Sequence, residues 1–529
     1  MALCTPRTVT RPLTVAALLA SIALTVSACS TTGSAAGSFD STDTFTAVYL
    51  GSYSTPPDPD TNYDGPGLNI IENTYEGLVA YRDGADTAEI VPELATKWSV
   101  SDDGLTYDFT LRPDVTFHDG TPFTAEAVVD SFERRTAVDG GPAYMVADVA
   151  SVEPDGDHRV AVHLKAKNTA FLDYLASPFG VKMISPTVLD EHGGKDHAQE
   201  YLTTHDAGTG PYELSEVDTG SSYGMRAYDD YWGDAPAIPD VTYRIAENAS
   251  SVQLELERGE VDAVLNVTSK TAYQRMSETE GLAASTFPNF TTQTLFVNPA
   301  SKAFPTVDDR HRLFSAIDTE SVIDASMGDL EEPTSELFPA GMTDASISEQ
   351  GVTHDPSALA ALADSGTTEG RTIRVGYAGS SGDGKAFADE LVAEFGDVGL
   401  TAESVSYASG SAYTMTDDLE AAPDLFVMSV FPDAGHVDAW ARILYTPKGG
   451  LDLFGAEVPG LTDALDDAVA SGDDDAYAAI AAAVNDSGYW LSTGSLNSTT
   501  VVRDDVRGVD DAQNVLEYNV LHFAALDRD

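Results

Sequence analysis

Polar and apolar residues alternate strictly in "LTYDFTLR" (Leu105 to Arg112). Leu105, Tyr107, Phe109 and Leu111 fall on one side, Thr106, Asp108 and Thr110 on the other. That period of two marks a half-buried strand, and "RVAVHLKA", around Val160, Val162 and Leu164, repeats it. Between these strands the spacing changes. In "TAEAVVDSFERR", Val128 and Phe132 stand one helical turn apart behind Thr124, a residue type suited to capping free N–H groups, so a helix is expected there. Beyond residue 370, "TIRVGYA" reads as strand, "KAFADELVAEF" as helix, "TAESVSYA" as strand, "YTMTDDLE" as helix-like and "DLFVMSVF" (Asp424 to Phe431) as an almost unbroken apolar strand. Strands alternating with helices imply parallel βαβ units, and an apolar run implies a strand covered on both faces. Near the C-terminus "LEYNVLHFAAL" reads as strand again. "SGDDDAY", around Asp473, reads as a solvated loop between two helices.

The N-terminus breaks this pattern. Arg7 and Arg11 precede "LTVAALLASIALTV", an uncharged apolar run from Leu13 to Val26. A bilayer-spanning helix needs about 20 residues, so the run is read as the core of a signal peptide. Small residues and a cysteine follow in "VSAC" (Val26 to Cys29). This resembles a bacterial lipoprotein signal, which implies cleavage after residue 28 and lipid on Cys29. Val26 stands where such signals usually have leucine. "STTGSAAGSFDSTD" then reads as a flexible tether. The only other cysteine, Cys4, would leave with the signal, so no internal disulfide and no cysteine pair for zinc is expected.

Composition adds charge to the picture. Of 529 residues, 86 are acidic and 28 basic, a net −58. Such a field repels nucleic acid and favours cations. The acids are spread along the whole chain, which suits a soluble or salt-adapted surface as well as a cationic ligand. One stretch raises a catalytic question: "RVGYAGSSGDGKAF" comes near the phosphate-binding pattern G-x-x-x-x-G-K-[S/T]. Ala386 stands where a hydroxyl would bind magnesium, so Gly379–Lys385 is read as a turn.

Three long blocks carry a resemblance. They run from Tyr75 to Arg135, from Gly208 to Ile245 (with "GPY" and Tyr231-Trp232-Gly233, then "LERGEVDAV"), and from Leu295 to Ile323 (with Asn298, Arg310 and Ala316-Ile317-Asp318). Together and in this order they resemble the family 5 extracellular solute-binding proteins, the peptide/nickel class that serves ABC importers. The resemblance implies an α/β, two-lobed, periplasmic-binding-protein-like fold with an extra subdomain in the first lobe and a ligand cleft between lobes. The expected division is 1–28 signal, 29–45 tether, 46–297 first lobe (extra subdomain about 85–205), 298–489 second lobe and 490–529 a return to the first. It further implies a lipid-anchored, monomeric, non-enzymatic binder outside the cell, without a cofactor. Its partners would be a small solute, most readily a short peptide, an ABC permease and that importer's separate ATPase subunit, but no nucleic acid.

Peptide-binding members typically hold the α-ammonium with an aspartate in a Trp-x-x-Asp context after a buried strand. In "DLFVMSVFPDAGHVDAW" Val430 stands at the tryptophan position and Asp433 at the acid, with Asp438 its nearest competitor. Trp440 and Tyr445 are candidate pocket aromatics. A nickel or metal-chelate ligand is the alternative, with His118, His311 and His436 to consider. They form no tight ligand cluster in sequence, nor do His192 and His197. A secreted hydrolase is a further alternative, but G-x-S-x-G, H-E-x-x-H and a candidate cysteine nucleophile are absent from the sequence.

Overall fold

Two large sheets organise the chain. The first has seven strands, in the order Leu282–Phe287, Ser498–Arg503, Ala263–Leu265, Thr44–Leu50, Asp240–Ala246, Ser222–Ala227 and Tyr212–Asp218. The second has six: Glu331–Pro333, Trp490–Leu496, Thr292–Val297, Leu425–Val430, Ile373–Ala378 and Ala402–Tyr407. These are the cores of the first and second lobes. The computed structural model describes residues 44–528 apart from Ser54, Ser380, Ser381 and Lys448. Cys29, the signal segment and nearly all of the tether therefore lie outside the described residues.

The alternating stretches form the strands their periodicity predicts. Thr106–Leu111 buries Tyr107, Phe109 and Leu111 and exposes Asp108. It joins Ala95–Val100, Arg159–Leu164 and Val149–Pro154 in a separate antiparallel sheet. The helix Ala125–Val138 packs on that sheet with Val128 and Phe132 buried; Thr124 occupies the cap position, but its side chain makes no capping bond. In the second lobe, Ile373–Ala378 pairs in parallel with Ala402–Tyr407 and Leu425–Val430. The helix Gly382–Asp397 crosses between the first two of these strands. "YTMTDDLE" begins inside a 3-10 stretch, Ser409–Asp417, rather than an α-helix. Around Asp473 the turn is short: Gly472 adopts φ 70° and Asp473 caps the next helix, Asp474–Ser487.

The chain passes between sheets twice, at residues 288–291 and at Asn497. The amide of Leu496 donates to the carbonyl of Thr291 at 2.8 Å, tying the two crossings together. Strands Thr292–Val297 and Trp490–Leu496 pair with each other in the second sheet, whereas divisions at 297/298 and 489/490 would assign both to the first lobe. The C-terminal "LEYNVLHFAAL" also differs from its reading. It returns to the first lobe as turns and one 3-10 turn, Phe523–Ala525. The Asn69 and Asn73 side chains donate to the carbonyls of Asn519 and Leu521 and accept from the amides of Leu521 and Phe523, so this backbone is satisfied without a ladder.

Candidate functional site

The strand Leu425–Val430 is central in its sheet, and Leu425, Phe426, Val427 and Val430 are buried. It ends in "FPDAG", which turns into the helix Val437–Tyr445, capped by the His436 ring accepting from the Asp438 amide. Pro432 cannot extend a ladder and so helps to end the strand. This turn reaches across to the first lobe. Phe431 stacks on Phe179 at 6.1 Å between ring centroids, and Ala434 and Ala439 share an apolar cluster with Leu68, Met145, Tyr174 and Phe179. The Gly435 amide donates to the Tyr81 hydroxyl at 2.8 Å, which in turn donates to Asp173 at 3.0 Å. Ser177 donates to the backbone carbonyl of Asp433.

Asp433 is 2% exposed. Its Oδ2 accepts from two first-lobe tyrosines, from Tyr144 at 2.6 Å and from Tyr63. Burial pushes this carboxyl up to about 6, and the two phenol hydrogen bonds hold it from rising further. The tyrosines are themselves 37% and 41% exposed (Tyr63 and Tyr144), so the contact lies at the rim of the cleft. An acid held by neutral donors, with no cation in direct contact, can exchange those donors for an ammonium and gain a charge-assisted bond.

The other sequence candidates lie elsewhere. Asp438 is buried and pairs with Arg442 at 2.7 Å, which also reaches Asp466 at 2.8 Å. Trp440 and Tyr445 are fully buried in the second-lobe core. The Trp440 indole donates to the Tyr445 hydroxyl at 3.1 Å and that hydroxyl donates to the Leu337 carbonyl at 2.9 Å, so the polar atoms of both are already in use. Asp433 and Asp438 thus share one turn, while Trp440 and Tyr445 pack behind it. Tyr63 and Tyr144 carry no local sequence signal: they meet Asp433 across 370 and 289 residues of chain.

The histidines do not converge. His118 pairs with Asp206, His311 lies 3.0 Å from the Asn485 carbonyl, and His436, which burial pushes down to about 4, caps its helix. Among the described residues, ligand atoms of Glu72, Glu517 and His522 lie within 4.8 Å of one another. There Lys182 pairs with Glu72 at 2.8 Å, and both His522 nitrogens already face carboxylates, Asp83 at 3.3 Å and Glu517 at 2.6 Å. Those acids hold His522 charged, up to about 10 against the opposing effect of burial, so the group is an ion-pair network rather than a metal cradle. The glycine-rich stretch offers no phosphate cradle either. The helix already begins at Gly382, Asp383 stands in its first turn, and Lys385 is turned along the helix onto Asp389.

Comparison with known proteins agrees with the fold. A sequence model described as "Bacterial extracellular solute-binding proteins, family 5 Middle" matches residues 89–452. A probable D,D-dipeptide-binding periplasmic protein of Escherichia coli is 26% identical over 322 residues, 60% of this chain and 62% of that relative. A dipeptide-binding protein of the same organism is 27% identical over 387 residues, 68% of this chain and 70% of that relative. A nickel-binding periplasmic protein, also from it, is 25% identical over 365 residues, 65% of this chain and 68% of that relative. Among solved structures, NikA from Brucella suis in complex with Fe(III)-EDTA superposes with a TM-score of 0.79 at 20% identity, covering 91% of this chain and all of that one (100%). The periplasmic binding protein DppA from Helicobacter pylori, in complex with the peptide STSA, gives 0.77 at 19% identity, covering 92% and 98%. At these identities the structural likeness speaks for the two-lobed fold alone.

Proposed function

The chain belongs to the bacterial extracellular solute-binding proteins of family 5, and we propose that it captures a short peptide between its lobes and delivers it to the permease of an ABC importer. One observation carries this reading: Asp433, at the end of a central second-lobe strand, is held by side chains of the first lobe. A group in that position senses whether the lobes are closed. A solute bearing an ammonium would replace Tyr63 and Tyr144 as partner of the carboxylate and favour the closed form by binding it better. The dipeptide-binding relatives support a peptide over a metal chelate, as does the dispersal of the histidines. Turnover has no place in this mechanism: binding and release suffice, and hydrolysis of the importer's ATP falls to a separate subunit.

Calorimetry with one free and one N-acetylated tripeptide tests this reading. Asp433→Asn keeps the shape and removes the charge. Hydrogen bonds to charged groups contribute roughly 1.5–3 kcal/mol, so affinity for the free peptide is expected to fall about ten- to a hundredfold. Equal affinity in wild type and variant would remove Asp433 from the site, and tight binding of the acetylated peptide would exclude recognition of an amino terminus. The same proposal has the mature chain start at Cys29, lipid-modified, and work as a monomer at the outer face of the membrane. Cys29→Ser should then release the protein into the medium; an unchanged membrane-bound fraction would rule out the lipid anchor.

A further inference from the structure

A second set of acids lies deeper in the cleft than Asp433. Both sheets present the carboxyl ends of parallel strands to it, the place where open α/β sheets bind ligands. From the second lobe come Ile373–Ala378 and Leu425–Val430, from the first Thr44–Leu50 and Ala263–Leu265. Across the second sheet Gly494, Gln293 and Ser429 stand opposite one another in register. The Glu331 carboxylate lies over Gly494, where an added Cβ would fall 2.2 Å from Oε1, so only glycine leaves it room. Ser429 Oγ lies 2.7 Å from Gln293 Oε1 and against Asp383, in the first turn of the helix Gly382–Asp397. The first lobe closes the other side. Thr268 Oγ1 lies 3.8 Å from a Cβ built on Gly382. The Tyr518 phenol is pushed well up by burial and then by the charges of Asp383, Tyr49 and Glu331.

Glu331 is 2% exposed, and neither of its carboxylate oxygens has a hydrogen-bond partner among the described residues. Gln293, fully buried, leaves its amide nitrogen unpartnered; turning the amide over would orphan the oxygen instead. Buried carboxylates elsewhere in this chain are paired, as Asp58 and Asp60 are with Arg134. Here the one charged group acting on Glu331 is Asp383, of the same sign. Together with burial, which acts first, it pushes the Glu331 carboxyl well above the usual range. A cation placed between the two acids would reverse that.

We propose that Glu331, Asp383 and Gln293 form a subsite for a second cationic group of the solute, a primary ammonium or a guanidinium. The inference rests on the cleft being the solute site. Asp433 follows Ser429 by four residues, so the two positions are separated by at most about 14 Å. A tri- or tetrapeptide spans that distance with its amino terminus at Asp433 and a basic side chain at Glu331. The Glu331 carboxylate and the free Gln293 amide set the selectivity: the acid accepts from the cation, and the amide meets a neighbouring carbonyl of the peptide.

Calorimetry with Lys-Ala-Ala, Ala-Lys-Ala and Ala-Ala-Lys against their norleucine counterparts tests the subsite in wild type, Glu331→Gln and Asp383→Asn. At least one lysine peptide is expected to bind wild type about ten- to a hundredfold more tightly than its counterpart. Both substitutions should bring that ratio close to one and leave the norleucine peptide's affinity unchanged. Circular dichroism checks that each variant folds; if one does not, the other decides. Equal binding within every pair by wild type, or a ratio that persists in the variants, overturns the proposal. If none of the peptides binds, the peptide reading fails by itself and 1,5-diaminopentane decides the subsite. A melting temperature raised in wild type but not in Glu331→Gln upholds it, and an equal shift or none overturns it.

Discussion

Two groups of buried acids in this molecule have opposite surroundings. In the first lobe, Asp58 and Asp60 meet Arg134 and Arg135, and all four are at most 3% exposed. Arg135 further donates to the carbonyls of Phe179 and Gly180, each at 2.8 Å, and of Pro59 at 3.1 Å. Every charge there has its counter-charge within the chain. In the cleft, Asp433 is held by neutral phenols and Glu331 by nothing that carries a positive charge. Desolvating a carboxylate without a cation is costly. The difference shows where the chain has spent its few basic residues: on the scaffold, leaving the cleft acids for something that arrives from outside.

The largest effect should come from breaking the paired group. Arg135→Met removes one counter-charge from Asp60 and leaves the Phe179, Gly180 and Pro59 carbonyls unsatisfied. A loss of about 3–5 kcal/mol is expected, read as an earlier urea midpoint with ligand binding retained where the protein is folded. A midpoint equal to wild type would show that the pairing contributes nothing to the fold.

The cleft should answer differently, and through pH. The Asp433 carboxyl rises from 3.8 to about 6 because it is buried. A group with a raised folded pKa binds its proton more tightly in the fold, so it favours folding at low pH, and that benefit disappears as pH climbs from about 4 through 6. Measured against Asp433→Asn, ligand-free wild type should lose about 3 kcal/mol of stability over that window and little above it. A difference independent of pH would mean that Asp433 is solvated, with the lobes open.

The same contrast separates what the sequence reveals from what it hides. Period-two alternation found the 106–111 and 159–164 strands because each has one face on a core, and the apolar 425–430 run found a central strand for the same reason. "LEYNVLHFAAL" has equally apolar residues, but its hydrogen bonds go to Asn69 and Asn73, some 450 residues away, which no local pattern reports. Lobe boundaries shifted by one strand at each crossing for a related reason: Thr292–Val297 and Trp490–Leu496 choose a sheet by pairing with each other. At the site, Asp433 was legible from its position after a buried strand. Trp440 and Tyr445, named for their chemistry, turned out to bond each other within the core. Tyr63, Tyr144, Glu331 and Asp383 were silent because their meaning is which residue they face across the cleft.

The central claim is that the cleft acids wait for a cationic solute, and the solute that the cell supplies is its most direct test. Native mass spectrometry of the protein purified from its own host, followed by identification of any released small molecule, reads this without a choice of probe. The account expects a short peptide or similar solute carrying a free amine and a second basic group, retained by wild type and lost or depleted in Glu331→Gln and Asp433→Asn. A co-purified solute that is acidic, or neutral and without an amine, and is held equally by all three proteins, would contradict it.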